Sequence, residues 1–175
     1  MRFCSHCGAP VGLRRPEGDE LERHVCTECG EIHYQNPKVV VGAVCTLDDR
    51  VLLCRRAIEP RAGLWTIPAG YLELGESVEE GAAREAFEEA RARIEITGLL
   101  AVYSVVRIDQ VQLLYRARLL SPEIAAGPET LELDLFDWPA IPWAELAFPT
   151  VRWVLKRAIE LRDHAGPYPP ALGPE

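Results

Sequence analysis

The chain has 175 residues, a formal net charge of −8, and a composition that is 48% hydrophobic and 26% charged. That length and composition suit one ordinary domain plus a small appendage and exclude disorder throughout. The acidic balance excludes broad electrostatic binding of nucleic acid, though not a small anion held through a divalent cation.

In chain order, the first residues carry no apolar leader pattern, and no stretch reaches the length of a membrane span. A cytoplasmic, reducing setting is therefore expected, where paired cysteines signal metal more often than disulfide. Residues 1–35 show no apolar periodicity, but they hold four of the six cysteines, as Cys4-x-x-Cys7 and Cys26-x-x-Cys29. Eighteen residues separate the two pairs, which falls within four-cysteine zinc spacing. Four thiolates fill a tetrahedral shell and leave no open position, so the predicted Zn²⁺ is structural. It would supply the stability that so short a module cannot gain by burial. Two disulfides or free thiols are the alternative. His6, His24 and His33 are read as surface residues, and Cys45 and Cys54 as core packing.

Lys38 to Leu47 is valine-rich and predicts a buried strand. Asp48-Asp49 is a turn, and Arg50 to Arg56 a second strand, which together make a hairpin. Leu64 to Pro68 reads as a short strand and Gly70 to Gly75 as a loop. Ser77-x-x-Glu80 has the form of a capping box opening a helix, with Glu79 and Glu80 at its positive end. Two strands follow, Ile94 to Ile108 and Val111 to Leu120, turning near Asp109-Gln110. After a loop, Ser121 to Pro128, the alternation in Thr130 to Trp138 predicts a strand with one buried face. Trp143 to Leu146 is read as a helical turn, and Val151 to Leu161 as an amphipathic helix. The proline-rich end, 164–175, is read as an extended or disordered tail.

The helix after Ser77 carries the chemistry. At about 100° per residue, Glu85, Glu88 and Glu89 fall on one face, and Ala83, Ala86, Phe87 and Ala90 on the side expected to pack on a sheet. A solvated acidic face is the plain reading of such a run. Otherwise the carboxylates need a cation, and hard oxygen ligands suit Mg²⁺ or Mn²⁺. Arg84, four residues before Glu88, can hold one carboxylate in place.

Gly70, Glu76, Arg84, Glu85, Glu88 and Glu89 stand at the spacing G-x5-E-x7-R-E-U-x-E-E-x-G-U. This segment resembles the Nudix hydrolase family. It departs from the pattern at Ala86 and Ala92, where bulky aliphatics are usual, and at Arg91, where a glycine normally turns the chain out of the helix. Arg91 must either adopt a left-handed conformation, at a cost of roughly 1 kcal/mol, or let the helix run on.

The resemblance implies an α/β fold, a Nudix α/β/α sandwich with a mixed sheet, here preceded by an N-terminal zinc ribbon. The implied organisation is ribbon 1–35, Nudix domain 36–163 and tail 164–175. By the same resemblance the Gly70 carbonyl with Glu85, Glu88 and Glu89 would hold one to three Mg²⁺ or Mn²⁺, while Glu76 and Arg84 brace the loop and helix. One of Glu85 or Glu89 would activate water, or a distant Glu132 or Glu129. Beyond the box, Tyr34 to Lys38, Leu52 to Arg56, Leu64 to Ser77 and Gly127 to Phe136 are similar to the FAD and ADP-ribose pyrophosphatase subgroup. That implies a small nucleotide substrate and release of AMP. Substrate contacts are expected from one of Arg55 and Arg56, since neighbours on a strand face opposite ways, and from Tyr103 and Glu132. A homodimer is in keeping with the family; a membrane or nucleic-acid partner is not expected. The competing functions are a non-catalytic sensor or nucleic-acid module on the same fold, and an NADH or RNA-cap pyrophosphatase.

Overall fold

The computed structural model describes residues 1–164 and 168–173. Backbone contacts divide the chain into two compact units, Met1–Pro37 and Lys38–Glu175. The first is an antiparallel three-stranded meander of β1 (Val11–Arg14), β2 (Arg23–Cys26) and β3 (Ile32–His33). Its interior is sulfur rather than hydrocarbon: Cys4 and Cys26 are buried there, while Leu13 and Leu21 are exposed.

The second unit opens with β4 (Lys38–Leu47) and β5 (Arg50–Arg56), joined at Asp48-Asp49. Both turn residues have positive φ, 48° and 63°, as a two-residue hairpin of this twist demands. The hairpin is short-lived. β5 pairs with β4 only through Thr46–Val51 and Leu47–Arg50 and then diverges. β6 (Trp65–Thr66) follows β5, while β7 (Ala69–Tyr71) takes the vacated place beside β4, through Val40–Tyr71, Val41–Gly70 and Gly42–Ala69. The sequence reading placed a loop from Gly70; the chain is still paired there because β4 presents an open edge. Helix α1 (Val78–Ala90) follows, then β8 (Ile94–Val105), β9 (Gln110–Leu119), β10 (Thr130–Asp137) and helix α2 (Pro149–Glu160). The strand predicted to reach Ile108 gives way after Val105 to a 3-10 turn, and Asp109 reverses the chain at φ 50°.

The sheet order is β10-β5-β4-β9-β8, with β4 and β9 parallel and the rest of that path antiparallel. Alternation along each strand sends one set of residues to each face. Val41, Ala43 and Cys45 of β4 join Ala82, Ala86 and Ala90 of α1, whereas Val44 joins Val151, Val154, Leu155 and Ala158 of α2. Two helices thus cover opposite faces of one mixed sheet, each with its own apolar layer.

Two expectations need correction. Phe87 does not pack on the sheet; it is exposed, and Ala82, Ala86 and Ala90 form the buried row. Three small side chains at i, i+4 and i+8 let the helix backbone approach the strands, which a phenylalanine would hold away. The proline-rich end is extended, but where described it is also paired. Ala171–Leu172 forms β11, parallel to Ala101–Val102 of β8, with Arg157 donating to the Pro169 carbonyl at 2.9 Å. Residues 165–167 and 174–175 of that tail lie outside the described residues. No described helix is long and apolar enough to cross a membrane.

Candidate active site and zinc centre

The acidic helix begins as its sequence predicts. Ser77 Oγ accepts from the Glu80 amide at 3.2 Å, and Glu80 Oε2 accepts from the Ser77 amide at 2.8 Å. It ends at Arg91 with φ 51° and ψ 19°, so the arginine takes the left-handed turn that glycine usually makes. Its amide donates to the Phe87 carbonyl at 2.9 Å, that of Ala92 to Ala86 at 3.2 Å, and its guanidinium lies over the Phe87 ring.

Arg84 is the organising residue. Nε and Nη2 bind both oxygens of Glu76 at 2.9 and 2.8 Å, and Nη2 also reaches the Tyr71 carbonyl at 2.9 Å. Nη1 donates to Glu85 at 2.8 Å and to Glu88 at 3.1 Å. These five bonds use all five N–H groups of a guanidinium. The Glu73 amide donates to Glu76 at 2.7 Å, so the loop, the helix and β7 are tied to one cation. The same contact holds the Glu76 carboxyl down to about 2, chiefly through Arg84. Gly70 is required by close approach: a β-carbon there would run into the Glu85 carboxylate.

Glu85 and Glu89 are nearly buried, while Glu88 is exposed. Burial pushes the Glu89 carboxyl up to about 8, with the charge of Glu85 adding to the shift; Glu85 is raised by burial as well. Both acids also feel Glu129, which follows Gly127 and Pro128 at the end of the loop before β10. That loop is docked on the end of α1, with Ala125 N donating to Ala90 O and Gly127 N to Glu89 O, each at 2.9 Å. A β-carbon on Gly127 would overlap the Glu88 carbonyl.

These groups border a cavity of about 980 Å³, the upper end of the range for small-molecule sites. Glu85, Glu88, Glu89, Arg84, Gly70, Glu129 and Arg56 line it. Of the two arginines ending β5, Arg56 faces the cavity, stacked over the Phe148 ring at 5.2 Å; Arg55 is held by the Gly63 carbonyl and Glu132. Glu132 is on that outer pair and does not line the cavity, nor does Tyr103. Tyr103 is 2% exposed and packs edge-on against Trp153, so the geometry gives it a core role and not a stacking one. Reading from the sequence missed Gln110, Gln112, Thr150 and Trp153 on the cavity wall; strand alternation carried a signal for the two glutamines alone.

Two sites suit cations. In the first unit the Sγ atoms of Cys4, Cys7, Cys26 and Cys29 all lie within 4.8 Å of one another, the sole such group among the described residues. Their hydrogen-bond-range separations are 3.4 to 3.8 Å. Tetrahedral zinc at 2.3 Å from sulfur needs about 3.8 Å along each edge, so the residues fit. Backbone amides aim at the sulfurs: Glu28 and Cys29 to Cys26, and His6 to Cys4, at 3.3 to 3.4 Å. The amides of Cys29 and Glu28 are among the contacts that pull the Cys26 thiol down to about 6. His33 is not a free surface residue, since its Nε2 lies 3.2 Å from Cys4 Sγ. At the cavity the three carboxylates do not converge as tightly, and Arg84 takes an oxygen of both Glu85 and Glu88. The donor set is nonetheless hard oxygen, and burial raises Glu85 and Glu89, so a divalent ion beside them would favour their charged form.

A mixed sheet between two helices, with a loop and acidic helix clamped by an arginine at its divergent edge, defines the class. A family model described as "NUDIX domain" matches residues 36–159, and one described as "Nudix N-terminal", the zinc ribbon, matches residues 2–35. The chain belongs to the Nudix hydrolase family and carries that family's N-terminal zinc ribbon. It is similar to the NAD-capped RNA hydrolase NudC of Edwardsiella ictaluri, 28% identical over 91% of this chain and 59% of that protein. It is also similar to the ADP-ribose pyrophosphatase of Methanocaldococcus jannaschii, 32% identical over 66% of this chain and 69% of that one. The chain thus spans little more than half the length of the NudC relative. Its fold matches the crystal structure of a NUDIX hydrolase from Nitrosomonas europaea with a TM-score of 0.93 and 51% identity, covering 99% of this chain and 98% of the other.

Proposed function

We propose that the protein hydrolyses the diphosphate link of an adenosine-containing nucleoside diphosphate derivative, FAD or ADP-ribose, with Mg²⁺ or Mn²⁺, and releases AMP. The supporting observation is the saturation of Arg84: five bonds fix Glu76, Glu85, Glu88 and the Tyr71 carbonyl around one cavity wall. A non-catalytic sensor would be favoured by loss of the box acids, and Glu85, Glu88 and Glu89 are all present. Gly70, Glu85, Glu88 and Glu89 would hold the divalent ions, which neutralise phosphate oxygens and ease deprotonation of the attacking water. The water oxygen attacks one phosphorus, the anhydride P–O bond breaks, and its electron pair leaves on the bridging oxygen with the other phosphate. A carboxylate takes the water proton; Glu85, Glu89 and Glu129, which line the cavity, are the candidates, and Glu132, which does not line it, is set aside. Arg56, which also lines the cavity, is the side chain suited to a phosphate oxygen.

The test is release of AMP from a panel containing FAD, ADP-ribose, NADH and an NAD-capped RNA, the last because of the NudC relatives. Activity is expected with Mg²⁺ or Mn²⁺, highest on FAD or ADP-ribose, and lost with a chelator. Glu88→Gln and Glu89→Gln should each lower turnover by about 100-fold or more, with melting temperature nearly unchanged. If neither metal supports hydrolysis of any panel member, the reading fails.

A further inference from the structure

The acidic wall accounts for the phosphates but leaves the other side of the cavity unexplained. There β9 presents Gln110, Gln112 and Leu114 on one face, at alternate positions as a strand must. Register carries that face across the sheet. Tyr71 of β7, Val40 of β4 and Gln112 of β9 are successive partners in one row, and all three line the cavity. Gln112 therefore stands two strand spacings, about 10 Å, from Tyr71, in the cavity that the box acids also line.

Its amide is held by neighbours. Gln112 Nε2 donates to Gln110 Oε1 at 3.1 Å, and Gln110 Nε2 reaches the Tyr71 hydroxyl at 3.4 Å. The relay ends on a hydroxyl, which donates as readily as it accepts. In either sense of the relay Gln112 keeps an oxygen acceptor beside an N–H donor. The surroundings are apolar, with Leu114 buried and Trp153 and Val151 also lining the cavity. Gln112 is half-buried, so this edge is open to a ligand that enters the cavity.

We propose that Gln112, oriented by Gln110 and Tyr71, reads the base of the bound nucleotide and selects adenine. Along its N7 edge adenine offers an exocyclic N–H donor next to a ring nitrogen acceptor, the complement of an amide. A 6-oxopurine presents two acceptors along that edge, so one of them is set against Oε1 whichever way the amide is turned, and the base is rejected. The inference takes the nucleotide reading of the cavity as its starting point and adds the determinant of base choice.

AMP and IMP differ at this edge and need no turnover to compare. Their dissociation constants are measured by calorimetry on the full chain with Mg²⁺ present. AMP is expected to bind about ten- to a hundredfold tighter than IMP. Gln112→Leu should bring the two within about twofold by weakening AMP, and Gln110→Leu should narrow the gap less. Thermal melting checks that the variants fold; Gln112→Glu, which keeps the size and one acceptor but loses the N–H, serves if Gln112→Leu does not. Equal binding of AMP and IMP to the unaltered protein, or a preference that survives loss of the amide, overturns the proposal. Hydrolysis of ADP-ribose is followed separately. Turnover without base preference removes only this inference, whereas base preference without turnover removes the hydrolase reading and leaves this one standing.

Discussion

Two arginines, one within α1 and one capping its end, play opposite roles. Arg84 spends every donor on positioning, so lysine cannot replace it: an ammonium is a point charge with three donors and no planar fork. Arg84→Lys should lower turnover at least about tenfold while the nucleotide still binds, since the acids lose alignment and not identity. The same ion pair sets an acid limit on stability. Glu76 is held at about 2 in the folded chain, well below an ordinary carboxyl. A depressed folded value means the stabilisation is complete above the unfolded value near 4.5 and is lost as pH falls toward 2. Melting temperature should therefore drop over that window, and Glu76→Gln should flatten this part of the profile. Arg91, by contrast, adopts a conformation that suits it poorly. Arg91→Gly is expected to raise unfolding free energy by about 0.5 kcal/mol, measured in urea, the relief of a left-handed arginine partly offset by its lost stacking on Phe87. Of the residues singled out by reading alone, the four cysteine sulfurs converge and the box acids border one cavity, because spacing fixes their places on the knuckles and the helix. Tyr103 and Glu132 do not reach the cavity, because a strand tyrosine and a strand glutamate carry no mark of which face will be lined.

At the level of elements, α1 was legible because its start is written locally, in Ser77 and Glu80. Its burial was legible only in part. The wheel groups the acids and turns Ala86 and Ala90 toward the sheet, but it neither brings Ala82 into the contact nor leaves Phe87 out of it, a matter settled by how closely the strands come. β7 was invisible for a related reason. Ala69–Tyr71 has no strand pattern of its own and is paired only because β5 leaves β4 after two residues. The end of the chain was read from its prolines, which set backbone shape but say nothing of pairing. β11 covers part of β8, and Arg157 fastens Pro169. Ending the chain at His164 should lower the melting temperature by a few degrees, and sedimentation should show concentration-dependent self-association as an uncovered strand edge finds partners.

At the level of the whole molecule, the two units draw stability from different sources. Lys38–Glu175 has two apolar layers; Met1–Pro37 has four converging sulfurs and little else buried. Removing zinc with a chelator, or Cys4→Ser with Cys26→Ser, should unfold the first unit and leave a cooperative melting transition in the second. Zinc content by elemental analysis should be one per chain. This division was plain in the sequence, since a paired-cysteine module and valine-rich strands announce different ways of holding a chain together. The shape of the cavity was not, because it arises where two strands part and depends on partners far apart in sequence.

The loop fastened to the end of α1 has a practical corollary. Glu129 belongs to another stretch of chain, yet amide bonds from Ala125 and Gly127 bolt it to the same frame as the box acids. Residues inserted at 121–124 only lengthen slack and should be tolerated. A single residue inserted between Gly127 and Glu129 would swing that carboxylate away from its neighbours, so the spacing of the final three residues, and not the size of the loop, is what a redesign of this site must preserve.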